Sequence, residues 1–387
     1  MNSNSGKKPD RARESITIVG LGWGAVGFLK HINTNYYQVY LFSDRPYFTY
    51  TPLLPESIFN EKTLREIRIP VEKFLKPFCS FISGKIMDVC FDSKTLVVER
   101  SLPFQRQSIA SYDNLILSHG ASVNTFGIPG METYALPLKT YDDVLRIRER
   151  FASDTNSISK SVAVMGCGWT GVETVGALVD NGYKNIHAID AMSRPLMSLQ
   201  PKQSDFVSSI WENAGVNLSI NHKISGISKD RIHSHERNDI IYDFAIWCGG
   251  IKPSPLSRNI MTQINRPNMS RERGIAVDDY LRVLNRENKP ITNVYAIGDC
   301  SCRISSPLPP TAQVAYQQGV YLAKEMNRRK VIESKEHEVF EWKDRGQLGY
   351  IGKGNSVYSG LGGFGNGKLM HYVNRLAHAY QSKVVLS

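Results

Sequence analysis

The chain has 387 residues, 41% of them hydrophobic and 21% charged, and 47 Lys and Arg against 36 Asp and Glu give a formal net charge of +11. That is an ordinary globular composition, long enough for two or three domains. No run of about 18 apolar residues occurs, which argues against a transmembrane helix. The positive charge is scattered rather than massed in one block, which disfavours nucleic acid and favours small anions such as nucleotides or an anionic membrane surface.

Residues 1–14 are polar, with Lys7, Lys8, Arg11 and Arg13, and read as a disordered tail or a short targeting segment. The six cysteines (Cys79, Cys90, Cys167, Cys248, Cys300, Cys302) show no C-x-x-C pair and no zinc spacing. A reduced compartment and the absence of a metal site are therefore expected.

An apolar strand, Ile16 to Val19, enters Gly20-Leu21-Gly22-Trp23-Gly24-Ala25, and a helix opens near Trp23. Gly20, Gly22 and Ala25 fit the G-x-G-x-x-G/A pattern of a dinucleotide-binding βαβ unit. The first makes the tight turn, the second lets backbone approach a pyrophosphate, and the third lets helix and strand pack closely. Trp23 and Gly24 then stand at the helix N-terminus, where the peptide dipoles favour the pyrophosphate. The next strand, Gln38 to Ser43, ends Ser43-Asp44-Arg45. An acid there normally holds the adenosine ribose. Either Asp44 serves, 24 positions after Gly20, or Ser43 meets the ribose and Arg45 a phosphate.

Tyr47 to Pro55 is aromatic and rich in turns, and reads either as a packed surface loop or as a wall against a planar ring. Several β-like runs follow, ending in Asp113 to Leu117, which enters Ser118-His119-Gly120-Ala121. His119 is expected to be structural or solvent-facing rather than catalytic.

After a helical stretch, Tyr141 to Phe151, the pattern returns. Ser161 to Met165 is a strand, Gly166-Cys167-Gly168-Trp169-Thr170-Gly171 a full G-x-G-x-x-G, and Val172 to Val179 the helix behind it. The following strand, Asn185 to Ile189, ends in Asp190, 24 positions after Gly166. A carboxylate there accepts the 2′-hydroxyl of NADH and repels the 2′-phosphate of NADPH; the nearby Arg194 blurs that preference. Tyr242 to Trp247 then leads into Cys248-Gly249-Gly250, the counterpart of Ser118-His119-Gly120. Two modules in one chain imply two dinucleotides, FAD held tightly and a nicotinamide exchanged.

Asn293 to Ile297 is an apolar strand ending in Gly298-Asp299, which places a carboxylate for the ribityl chain of FAD; Cys300 and Cys302 beside it need only pack. The first module is thus completed far along the chain, with the second inserted in it. Leu308 to Gly319 reads as a helix start, with Thr311 as N-cap after Pro309 and Pro310. Its N-terminus would favour negative charge on the pyrimidine end of a flavin. Gln313 and Gln317, four apart, face the same way and suit carbonyl oxygens of a flavin and a quinone, or are simply helix surface.

From Ile16 to about Tyr358 the chain resembles the type II NADH dehydrogenases, the single-subunit, non-proton-pumping NADH:quinone oxidoreductases. The resemblance rests on Gly20 to Ala25 with Phe28-Leu29-Lys30, Phe48 to Pro55, Asn124 to Gly130, Gly168 to Glu173 and Ala296 to Asp299. Its most specific part is Pro310-Thr311-Ala312-Gln313-Val314-Ala315-x-Gln317-Gln318. It implies an α/β fold of two Rossmann-like, glutathione-reductase-like domains. The FAD domain spans 15–135 and 262–335, the NADH domain 136–261 is inserted in it, and a small C-terminal region, 336–387, carries an amphipathic helix. FAD would meet Gly20, Gly22, Trp23, Gly24, Ala25, Ser43, Asp44, Arg45, Thr51, Pro52, Gly120, Ala121, Gly298, Asp299, Ala312 and Gln313. NADH would meet Gly166, Gly168, Thr170, Gly171, Glu173, Asp190, Gly249 and Gly250. Gln313 and Gln317 would border a ubiquinone-type substrate, and Glu173 would relay protons.

Two residues depart from the family: Ala177 where a second glutamate is common, and Tyr316 where a smaller residue or histidine is common. Lys368 to Ser387 places Leu369, Tyr372, Val373, Leu376, Tyr380 and Val384 on one face and Lys368, His371, Asn374, Arg375, His378 and Gln381 on the other. It reads as an interfacial membrane helix, a homodimer contact or a helix covering the core. Attachment would be to the mitochondrial inner membrane in a eukaryote, or to the cytoplasmic face of the plasma membrane in a bacterium. Other readings are a sulfide:quinone or ferredoxin-type reductase, or a signalling flavoprotein with little quinone turnover.

Overall fold

The computed structural model describes residues 13–100, 106–154, 156–267, 272–331, 338–360 and 363–386, with side chains of the last helix described as far as His378. The polar tail falls outside these residues up to position 12, as do the side chains of Tyr380, Gln381 and Val384. The described chain forms two compact units and changes unit near residues 46, 70, 121, 252 and 342, against the 135, 261 and 335 read from the motifs.

The first unit takes residues 13–46, 71–121 and 253–342. Its main sheet orders the strands Ser301–Arg303, Ile275–Val277, Arg282–Leu284, Pro290–Ala296, Asn114–Leu117, Glu14–Val19, Tyr37–Ser43 and Cys79–Ser83. The last five run parallel. Glu14–Val19 lies inside them with Ile16, Thr17, Ile18 and Val19 all buried, so both faces of that stretch are covered, as in a central parallel strand. Helix Trp23–His31 packs on helix Ala312–Val331 backbone to backbone. A Cβ at Gly27 would stand 2.4 Å from the Tyr316 carbonyl oxygen, and one at Gly319 would stand 2.0 Å from that of Gly24.

The second unit takes residues 47–70, 122–252 and 343–386. Its parallel sheet orders Leu136–Pro137, Phe244–Trp247, Ser161–Met165, Asn185–Ile189 and Asn217–Ser219. Helix Tyr141–Ala152 starts on a reciprocal cap: Thr140 accepts from the Asp143 amide, and Asp143 accepts from the Thr140 amide. The helix Pro201–Asn213 went unread in the sequence, although Pro201 at its first turn and the Gln200–Gln203 capping pair mark its start. A three-stranded meander, Gln347–Gly352, Asn355–Gly360 and Gly363–Gly367, leads into helix Lys368–Leu386.

The last helix corrects one reading. Its apolar face does not cover the core: Leu369 is 70% exposed, Tyr372 63% and Leu376 53%, while Asn374 on the polar face is 4% exposed.

Candidate functional site

The two glycine turns repeat one construction. In the first unit the Gly20 amide donates to the Phe42 carbonyl at 2.8 Å and the Ser118 amide to that of Val19 at 2.8 Å. In the second, the Gly166 amide donates to Ile189 at 2.8 Å and the Cys248 amide to Met165 at 2.8 Å. Gly20 (φ +93°) and Gly166 (φ +97°) sit in the left-handed region, where a side chain is strained. A Cβ on Gly20 would lie 2.5 Å from the His119 Cα, and one on Gly171 would lie 1.7 Å from the Gly166 carbonyl oxygen. The third position of the second fingerprint must therefore be glycine.

Both turns leave room for a ligand. A Cβ at Gly168 or at Gly120 would meet nothing within 4 Å, and one at Gly22 only the Ser118 carbonyl oxygen at 3.5 Å. Helices Trp23–His31 and Trp169–Asp180 start from Gly22 and Gly168 with no side-chain cap and no acid in the first turn. Open space over uncapped helix amides is the setting in which a pyrophosphate binds, so the residues fit a dinucleotide in each unit.

The register settles which residue follows the second strand. Since Gly20 pairs with Phe42 as Gly166 pairs with Ile189, Ser43 and not Asp44 stands where Asp190 stands. Their local contacts match: Ser43 Oγ accepts from the Arg45 amide at 3.2 Å, and Asp190 Oδ1 from the Met192 amide at 2.7 Å. Asp44 is exposed. Asp190 Oδ2 also accepts from the Cys167 amide inside the glycine turn, so the carboxylate is fixed with lone pairs to spare. Arg194 is drawn into its own loop, donating to the Met197 and Leu199 carbonyls at 3.2 and 3.0 Å.

The remaining turn residues fall as follows. His119 is structural, bonded through Nε2 to Ser257 Oγ at 2.8 Å, and burial pushes its pKa down to about 4. Cys300 donates to the Leu117 and Ile297 carbonyls, and burial pushes its thiol, like that of Cys248, up to about 12. All six cysteines are free. Thr51, Pro52 and their neighbours belong to the second unit.

Thr311 caps the helix Ala312–Val331, its Oγ1 accepting from the Val314 amide at 3.2 Å. Gln313 and Gln317 are both half-buried, and Gln313 Oε1 accepts from Trp342 Nε1 at 3.3 Å. The glutamine that holds the Gly298-Asp299 turn is a third one. Gln318, 3% exposed, accepts from the Gly298 amide at 2.6 Å, and Gly298 (φ +71°) depends on it for its place. Its sequence signal is a glutamine on the otherwise apolar stripe Val314, Ala315, Leu322. Tyr316 packs edge-on against Trp23 and His31, with centroids 6.5 and 6.3 Å away.

Glu173, on the second unit's dinucleotide helix, lines a cavity of about 630 Å³ with Pro52, Glu56, Ala177, Tyr350, Asn374 and His378. Burial first, then the neighbouring Glu56 carboxylate, lift its pKa to about 8 against the opposing Tyr350 amide. Gly349 makes the fit possible, since a Cβ there would strike the Trp169 ring at 2.6 Å and stand 3.3 Å from Glu173 Oε1. Glu56 and the inward residues of the last helix were not read as site residues.

Residues 14–319 match the family model described as pyridine nucleotide-disulphide oxidoreductase. A probable mitochondrial NADH-ubiquinone oxidoreductase of Schizosaccharomyces pombe is 27% identical over 358 residues, covering 83% of this chain and 63% of that one. The external mitochondrial NADH-ubiquinone oxidoreductase 2 of Saccharomyces cerevisiae is 28% identical over 374 residues, covering 88% and 67%. The chain thus spans about two thirds of the length of these two relatives. Among solved structures, NDH2 of Plasmodium falciparum in complex with NADH aligns with a TM-score of 0.86 at 23% identity, covering 97% of each chain. The sulfide:quinone oxidoreductase of Aquifex aeolicus aligns at 0.77 and 14% identity, covering 96% and 91%.

Proposed function

The chain belongs to the pyridine nucleotide-disulphide oxidoreductase family, and within it we propose an FAD-dependent NADH:quinone oxidoreductase that does not pump protons. The observation that carries this reading is the duplicated cradle with unlike ends, Ser43 in one unit and the fixed carboxylate of Asp190 in the other. A carboxylate accepts two ribose hydroxyls and repels a 2′-phosphate, which favours NADH over NADPH in the second unit; FAD falls to the first, the unit that holds the Gly298-Asp299 turn. When bound, FAD would supply the two-electron chemistry between NADH and the quinone.

The chain's own residues bind and orient. Gly20, Gly22, Trp23, Gly24 and Ala25 seat the FAD pyrophosphate and Ser43 its ribose. Gly120, Ala121 and Asp299 follow the rest of the molecule, and Gln318 fixes the turn that carries Asp299. Gly166, Gly168, Thr170, Gly171, Gly249 and Gly250 seat the NADH. The Thr311-capped helix presents its positive end, with Gln313 and Gln317 one turn apart offering amides to quinone carbonyls. Burial raises the pKa of Glu173 to about 8, which favours its protonated form.

The sulfide-oxidising reading needs paired redox cysteines, an arrangement that Cys248, Cys300 and Cys302 do not show in the sequence, and burial holds the Cys248 and Cys300 thiols protonated. Purified protein should show flavin absorbance that NADH bleaches and a short-chain quinone restores. Flavin that NADH reduces but no quinone reoxidises would sink the proposal.

We also place the protein in the mitochondrion, as the names of the relatives suggest, and propose that it sits peripherally on the inner membrane. No described helix is long and apolar enough to cross a membrane. The outward face of Leu369, Tyr372, Val373 and Leu376, beside Lys368 and Arg375, suits the interface of an anionic bilayer. Homodimerisation through the same face is the competing outcome, read by the mass of the particle without lipid.

A further inference from the structure

The helix Lys368–Leu386 faces its polar side inward, and that side is incompletely satisfied. Asn374, 4% exposed, donates to Ser356 Oγ at 3.4 Å but leaves Oδ1 without a partner. His371 Nδ1 is likewise buried and unpartnered, with its ring 4.8 Å from that of Tyr350. His378 Nδ1 lies 3.4 Å from the Tyr50 hydroxyl. Burying a polar atom without a partner is costly unless water meets it. All three side chains line the cavity of about 630 Å³ that also holds Glu173, roomy and polar enough for ordered water. Exposed Glu61, Lys62 and Arg375 line it too, so it opens to solvent.

Reduction of a quinone by NADH consumes NADH, one solvent proton and the quinone, and yields NAD+ and the quinol. The hydride brings two electrons and one hydrogen; the second hydrogen must arrive as a proton. We propose that this cavity is the inlet by which that proton reaches Glu173, with His378 as relay and His371 and Asn374 holding the connecting water. The inference rests on the oxidoreductase reading above.

The charges around Glu173 agree with a relay that runs inward. Glu56 faces the cavity from the helix Leu54–Ser57, Asp180 from Glu173's own helix, Tyr350 from the meander, and His371, Arg375 and His378 from the last helix. Burial lowers the pKa of both histidines, with Glu56 opposing, and raises that of Glu173. A proton arriving on an imidazole therefore passes downhill to the carboxylate.

The test is stopped-flow proton uptake by the holoenzyme with NADH and a short-chain quinone in weak buffer, read by a pH indicator. His378→Ala should slow uptake and turnover about tenfold or more, with added imidazole restoring both. Independently of turnover, an apolar carbodiimide should label Glu173 at pH 7, read by peptide mass, and Ala177→Leu, which narrows the inlet, should reduce that labelling. Uptake unchanged in His378→Ala, or labelling unchanged in Ala177→Leu, overturns the inlet. Failure of NADH to bleach the wild-type flavin would instead overturn the oxidoreductase reading.

Discussion

Replacing Asp190 by serine tests the assignment of the second cradle, because the first cradle is its built-in control. At the matching position Ser43 holds the Arg45 amide with its hydroxyl, so Asp190→Ser should keep the equivalent bond to the Met192 amide. It loses the carboxylate bond to the Cys167 amide and the one proposed to the NADH ribose. A hydrogen bond to a charged group is worth about 1.5–3 kcal/mol, and each 1.4 kcal/mol is about tenfold. The Kd for NADH should therefore rise roughly 10- to 150-fold, while that for NADPH falls because the charge facing its 2′-phosphate is gone. With Arg194 committed to the Met197 and Leu199 carbonyls, NADPH gains only relief from repulsion, so the preference narrows without inverting. Calorimetric titration of wild type and variant with both nucleotides reads this directly. An unchanged NADH-to-NADPH ratio would refute the placement of the ribose at Asp190.

Gly319→Ala would press a methyl to within 2.0 Å of the Gly24 carbonyl oxygen. Overpacking of this kind costs about 1–3 kcal/mol, seen as a lower melting temperature and loss of flavin on gel filtration. Gln318→Leu leaves the Gly298 amide unpaired at a cost of about 1–3 kcal/mol, and FAD should dissociate faster from it than from Gln313→Leu. Glu173 sets a pH dependence of stability. Its pKa rises from 4.5 to about 8 on folding, so between those values the folded state binds the extra proton and stability falls as pH rises. Melting curves of the wild type should show that slope, and Glu173→Gln should flatten it. The double variant Leu369→Glu, Leu376→Glu should abolish sedimentation with anionic vesicles while leaving flavin content unchanged.

The fingerprints were legible because Gly20 and Gly166 answer to a positive φ and Gly171 to a carbonyl oxygen close overhead, while Gly22 and Gly168 keep open the space a ligand needs. What spacing cannot convey is register and phase. Counting 24 positions from the first glycine pointed to Asp44 as readily as to Asp190, and only the pairing of Gly20 with Phe42 shows that Ser43 is the equivalent residue. Helical periodicity brought Gln313 and Gln317 to one face but could not show that Gln318, one step around, meets the Gly298 turn. The amphipathic pattern of the last helix was plain in the sequence, while which face turns inward was not. That depends on the meander it packs against and on the cavity its histidines line.

The glycine turns make the two units alike, and what separates their roles is the element each adds onto its dinucleotide helix from far along the chain. Both additions are made at glycine. In the first unit Gly319 brings helix Ala312–Val331 against Gly24, and in the second Gly352 brings the meander against Gly176, whose Cβ would lie 2.7 Å from the Gly352 amide nitrogen. The first addition carries a capped helix start, Gln313, Gln317 and the Gln318 clamp on Gly298. The second carries Tyr350, whose amide meets Glu173, and leads into the helix that encloses that carboxylate. A contact with no Cβ on either side tolerates no substitution on one side alone, so the added element cannot drift without carrying its functional groups with it. Specialisation of a duplicated cradle is thus located in its two glycine-docked additions. Exchanging Ser43 and Asp190 between the units should therefore change nucleotide affinity without moving the quinone chemistry.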